Sequence, residues 1–212
     1  MPASIQRTWK FMPPPCGSQT PASNAAAHVL KAGESSPLTS RVTDIATLAN
    51  VADGTIYLYF KSKEDLLLSV FEEKMGHLIT EASAALEDIQ DPLERLRELA
   101  HYHFRQVRDH RAVAEVLSVE LRLSNKFLRE YRPTKLWEYL DLFGSAMREG
   151  QRLGLIREDI DTFVVMWAFF GAMDELGMQW VLLNRADRSR FELEAAADQV
   201  AEVFIRGLAV NR

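Results

Sequence analysis

The chain has one cysteine, Cys16, among 212 residues. No intrachain disulfide is available, so stability has to come from packing, as suits a reducing cytoplasm. A long apolar run is also missing. The longest uncharged apolar run, Phe163–Met173, is 11 residues, too short to span a bilayer. Positive charge is not in excess: 25 Lys and Arg stand against 30 Asp and Glu, a formal net charge of −5. That balance argues against sequence-independent coating of nucleic acid, but leaves open specific reading by one face. There is no repeat, secretory leader, phosphate-binding glycine loop or zinc-ligand spacing. His101, His103 and His110 come without a companion metal motif and read as core or surface histidines. With no nucleophile–base pair either, neither an enzyme nor a bound metal or cofactor is expected.

What is present is a globular composition, 47% hydrophobic and 26% charged. Proline is concentrated at the start: Pro2, Pro13, Pro14, Pro15, Pro21 and Pro37 are six of eight. Residues 1–22 therefore read as a disordered tail. Ser23 can cap a short helix from Asn24 to Ala32, closed by Gly33.

Residues 41–74 read RVTDIATLANVADGTIYLYFKSKEDLLLSVFEEK. Thr43 caps a helix running to about Ala49, with Asp44 in its first turn. Asn50 suits the reversal that follows, and Val51 anchors it. Asp53 caps a very short helix from Gly54 to Tyr59 that packing through Ile56 and Phe60 must hold. Thr55, Tyr57 and Tyr59 then face outward, where hydroxyls and phenols donate to phosphates or touch base edges. Leu58 is unassigned. Lys63 opens the next helix, where ammonium and helix N-terminus together suit a phosphate. This is the pattern of a helix-turn-helix with a short recognition helix. The same residues would also decorate a plain helical hairpin. Across residues 41–76, four Lys/Arg face six Asp/Glu, so attraction to phosphate is modest per subunit.

The stretch IATLANVADGTIYLYFKSKEDLLLSVF resembles the DNA-binding signature of the tetracycline-repressor (TetR) family of bacterial regulators. The resemblance implies an all-α homodimer. An N-terminal helix-turn-helix domain would be joined by a long helix to a C-terminal ligand-binding and dimerisation domain. It implies DNA contacts, mostly at phosphates, by Thr43, Thr55, Tyr57, Tyr59 and Lys63. It also implies a palindromic operator and release when a ligand moves the two readers apart. The boundaries expected are 23–76 for the DNA-binding domain and 77–212 for the second. Residues 23–40 depart from the family. Ala25, Ala26, Val29 and Leu30 make a thin first helix, and ESSPLTS interrupts it. A divergent first helix and a coding irregularity upstream of about Ser40 both account for this.

Beyond Lys63 the chain reads as helices. Leu67, Phe71, Met75, Leu78 and Ala82 step along a long connecting helix. Asp91-Pro92 starts another, with Leu93, Leu96, Ala100, His103 and Val107 on one face. A segment from Arg111 to about Leu123 follows, then a helix after Pro133 that ends near Gly154. Phe163–Leu183 is apolar nearly all round, as expected of a helix buried on several sides. The last helix carries Leu193, Ala197, Val200, Phe204 and Leu208. The resemblance places the dimer interface on these final two helices.

Polar groups inside this apolar half mark a candidate ligand site: Arg122 and Asn125 in ELRLSN, and Asp174 and Glu175 in the Phe163–Leu183 helix. A buried carboxylate needs a partner, and Arg122 is the expected one. A structural ion pair or exposed helix edge is one reading; a polar anchor beside a ligand tunnel is the other. Phe143, Met147, Phe170 and Trp180, with Met166, Trp167, Phe169, Met173 and Met178, would line that tunnel. VADGTIYLYFKSKEDLLLSVFEEKMG, ELRLSN and GAMDELGMQWV together resemble the fatty-acid-degradation regulators within the family, which implies long-chain acyl-CoA as the effector. Arg105, Arg108 and Arg122 are weak candidates for its phosphates. The rival readings are another apolar ligand, or a ligand-binding dimer with impaired DNA binding.

Overall fold

The computed structural model describes residues 52–115, 118, 134–183 and 192–210 and, within them, every side chain except those of Asp53, Thr55, Ile56, Val70 and Ala112. The expected helices before Asn50, with Thr43, lie outside the described residues, as do Arg122 and Asn125. Among the described residues the fold is all-helical. The elements are α1 (Asp53–Tyr59), α2 (Lys63–Leu86), α3 (Pro92–Asp109), α4 (Arg111–Glu115), α5 (Thr134–Arg152), α6 (Thr162–Leu182) and α7 (Leu193–Leu208).

Helix boundaries follow side-chain capping. Ser62 accepts the Asp65 amide at 3.2 Å to start α2. Asp91 accepts the Leu93 amide at 2.8 Å ahead of Pro92. Asp161 accepts the Phe163 amide at 2.8 Å. Each cap satisfies an amide the helix itself cannot, worth about 1 kcal/mol. α5 ends at Arg152, and Gly154, two residues on, has a φ of 68°, the left-handed conformation. Leu155 N donates to Gly150 O at 2.9 Å and Gly154 N to Gln151 O at 3.0 Å, the paired bonds of a Schellman cap. An isolated antiparallel bridge between Ile156 and Ala209 then ties this turn to the end of α7.

α2 is 24 residues long, about 36 Å at 1.5 Å per residue, and connects the α1 end to the rest. Its expected stripe packs inward: Leu67, Phe71, Met75 and Ala82 are buried and Leu78 is half-buried. α3 is the hub, contacting α2, α4, α5, α6 and, most extensively, α7. Exposed or half-exposed polar contacts run along the α3–α7 seam: a His101–Asp198 hydrogen bond at 3.0 Å and the ion pairs Arg97–Glu202 at 3.8 Å and Arg108–Glu194. Such pairs contribute about 1 kcal/mol or less. The seam is instead held by Leu96, Ala100, Ala197 and Ala201, all fully buried, whose small side chains let the helices approach closely.

Two expectations change. The stripe expected on α7 divides: Leu193, Ala197 and Leu208 are buried, joined by Ala201 and Ile205, whereas Val200 and Phe204 are only half-buried. α6 is not covered all round either, since Phe163, Val164 and Leu182 are exposed. Hydrophobicity on every face cannot tell a helix enclosed by its own chain from one that keeps an apolar face open.

Candidate functional site

Two places in the fold stand out, one at the N-terminal end of α2 and one along its middle. The first is α1. It begins at Asp53, one residue before the expected Gly54. A seven-residue helix is marginal alone, and its anchor is Phe60, 6% exposed. Tyr57 and Tyr59 project into solvent at 55% and 42% exposure, and Leu58, left unassigned by its sequence, is also exposed. Lys63 stands at the first position of α2, half-buried. Two exposed phenols and an ammonium thus flank one short helix edge. Thr55 is on α1 but its side chain lies outside the described set, as does Thr43.

The second is a cavity of about 390 Å3 enclosed by α2, α3, α4, α5 and α6. Its walls are mostly apolar, with Phe71, Met75, Val107, Leu136, Tyr139 and Phe170 prominent. Exposed His77, Glu81 and His110 stand at its rim. Lys74 and Asp174, both half-buried, add one charge of each sign. Size and lining fit a small-molecule site, typically about 300–1,000 Å3 with apolar walls and a few polar groups.

Of the ligand residues expected from sequence, Phe170 and Asp174 line this cavity. Phe143 and Met147 do not. Both are fully buried in the core, where Phe143 meets Tyr139 and Phe169 edge-on at 5.5 and 5.7 Å. On α5 the wall is formed by Leu136 and Tyr139 instead. Trp180 is half-buried and stands outside the lining. Glu175 is exposed and accepts from Gln179 at 2.8 Å. Arg105 and Arg108 are ion-paired, to Glu98 at 2.6 Å and to Asp109 at 2.7 Å.

Sequence reasoning missed the polar centre of the wall. His103 Nδ1 lies 3.3 Å from Tyr139 Oη. Rings surround the imidazole: Phe104 and Phe170 edge-on at 5.7 and 5.9 Å, and Tyr139 stacked at 6.3 Å. This apolar enclosure lowers the His103 pKa to about 4, leaving the ring neutral at pH 7. Burial likewise pushes the Tyr139 phenol up, so it stays protonated. The alternation of His103 with Ala100 and Val107 marked a core face, but nothing in the spacing pointed to Tyr139, 36 residues away.

Comparisons with known proteins agree with both ends. Residues 39–70 match the model of bacterial regulatory proteins of the tetR family. Residues 71–207 match that of the YsiA-like protein C-terminal region. Residues 1–38 lie outside both matches. The chain is 36% identical over 169 residues to the fatty acid metabolism regulator protein of Bacillus subtilis, covering 80% of this chain and 85% of that one. It superposes on the fatty acid degradation regulator FadR from Bacillus halodurans with a TM-score of 0.78 at 31% identity, covering 90% and 97% of the two chains. It also superposes on the transcriptional regulator FadR from Bacillus subtilis in complex with stearoyl-CoA, with a TM-score of 0.74 at 33% identity over 88% and 97%.

Proposed function

The chain belongs to the TetR family of bacterial regulatory proteins, and on that premise we propose that it represses fatty-acid metabolism genes until a long-chain acyl-CoA enters its cavity. As a member of this family it is a DNA-binding transcriptional repressor rather than an enzyme. The observation that carries the finer reading is the apolar cavity, in a chain one-third identical to a regulator solved with stearoyl-CoA. A cavity of about 390 Å3 has room for an acyl chain but not for the coenzyme as well. In this reading the nucleotide head lies outside, beyond the rim of His77, Glu81 and His110.

The DNA-reading residues are Thr43, Thr55, Tyr57, Tyr59 and Lys63, and the domain boundary falls near residue 76, within α2. The exposed phenols of Tyr57 and Tyr59 support this assignment. Two copies pair through α6 and α7 and read a palindromic operator, since a two-fold dimer presents two equivalent readers. Val164 and Leu182 on α6 and Val203 on α7, 70% exposed, leave apolar surface for such pairing. Its place of action is the cytoplasm, where DNA and acyl-CoA are both present.

Isothermal titration with palmitoyl-CoA tests the effector. Saturable binding is expected, and no heat at roughly 50 µM ligand would leave a repressor with a different effector. A gel shift on the promoter of the chain's own gene tests the reader. Retardation is expected for the wild type and loss for Tyr57→Ala; identical shifts would remove α1 from recognition.

A further inference from the structure

We propose that His103, oriented by Tyr139, is the hydrogen-bond donor that grips the acyl carbonyl oxygen of the effector inside the cavity. This rests on the acyl-CoA reading above and adds to it a named specificity residue. Tyr139 is 2% exposed, and its hydroxyl has His103 Nδ1 as its one hydrogen-bond partner among the described residues. In the proposed arrangement the protonated Tyr139 phenol donates to Nδ1, which places the proton of the neutral ring on Nε2. His103 Nε2–H has no partner among the described residues, and His103 lines the cavity.

Nε2 stands 3.9 Å from where a Cβ on Gly177 of α6 would lie, and a donor held among apolar groups beside the cavity is costly until something accepts from it. A long acyl chain brings one polar atom into such a space, its carbonyl oxygen, and that atom is an acceptor. The two needs match. Gln106 and Ser118 also line the cavity and can donate, but His103 is the group held in place by rings on three sides. Preorganisation of this kind lowers the ordering cost of the bond. The neighbouring charges, Lys74 against Glu81 and Asp174, sum to −1. A free carboxylate gains little from such surroundings, whereas an uncharged thioester is not penalised.

The test compares palmitoyl-CoA with S-hexadecyl-CoA, a thioether of equal chain length that lacks the carbonyl, by titration calorimetry on the intact protein. Wild type is expected to favour the thioester by about three- to tenfold, the value of one neutral hydrogen bond. In His103→Phe the preference should vanish while thioether binding is retained. In Tyr139→Phe, which keeps the ring and its packing, the preference should shrink because the tautomer is no longer imposed. That variant also carries the test should His103→Phe fail to fold. Equal binding of both ligands by wild type overturns the His103 assignment and leaves the acyl-CoA reading intact. So does a preference that survives in His103→Phe or is abolished instead by Gln106→Leu. Failure of wild type to bind either ligand overturns the effector reading and this assignment with it.

Discussion

α1 and the α3–α5–α6 region differ in how little and how much supports each residue. α1 is seven residues long, held by buried Phe60, and puts Tyr57 and Tyr59 into solvent. Around the cavity, by contrast, Phe104, Tyr139, Phe143 and Phe169 are at most 2% exposed, and Phe143 packs edge-on against both Tyr139 and Phe169. A surface reader works through groups that cost the fold nothing to change. A cavity works through groups whose removal the fold feels. The two ends should therefore respond oppositely to substitution.

The largest effect is expected at Phe143. Phe143→Ala empties a fully buried ring site and should lower unfolding free energy by about 3–5 kcal/mol, read by urea denaturation at fixed protein concentration. A loss below about 1 kcal/mol would mean that the core around the cavity is no better supported than α1.

Next comes acid sensitivity. The folded His103 has its pKa lowered to about 4, against about 6.5 when unfolded. The unfolded chain thus binds the extra proton first, and stability is full above about pH 6.5 and falls as the pH drops toward 4. The loss is at most about 3 kcal/mol. Melting curves between these pH values should steepen the decline in wild type relative to His103→Phe, and parallel curves would show that His103 is not the group responsible.

Tyr57→Ala is the mirror image. Its phenol is 55% exposed, so unfolding free energy should move by no more than about 0.5 kcal/mol. Operator binding should weaken by about 2 kcal/mol for each protomer engaged, the worth of a hydrogen bond to a charged group. Fluorescence anisotropy with labelled operator reads the second quantity and thermal denaturation the first. A variant that lost both together would break the contrast.

Smallest is Gly76→Ala on α2, the helix between the two regions. A Cβ there meets nothing within 4 Å, so helix propensity alone decides and stability should rise by about 0.5–1 kcal/mol. A decrease would place an unseen neighbour against this face of α2.

Much of the helical frame was legible beforehand because the signals are local. Asp91-Pro92 and Gly154 act on amides or carbonyls within a few residues, and a helix starts or stops beside each. Tyr57 and Tyr59 are exposed, whereas Phe60, the residue directly after the helix, is buried. The density of the 41–74 signature placed the chain in its family.

Tertiary structure decided the cavity. Phe143, Met147 and Phe170 have the same apolar chemistry and similar helical spacing, yet only Phe170 faces the opening. The gap between α2, α3 and α4 reaches Leu136 and Tyr139 on α5 and ends before Phe143, one turn on. Periodicity reports which face of a helix is apolar, not whether the facing helix touches it or stands off. The pairing of His103 with Tyr139 is hidden for the same reason: it depends on a distance between two helices, which no pattern along one of them contains.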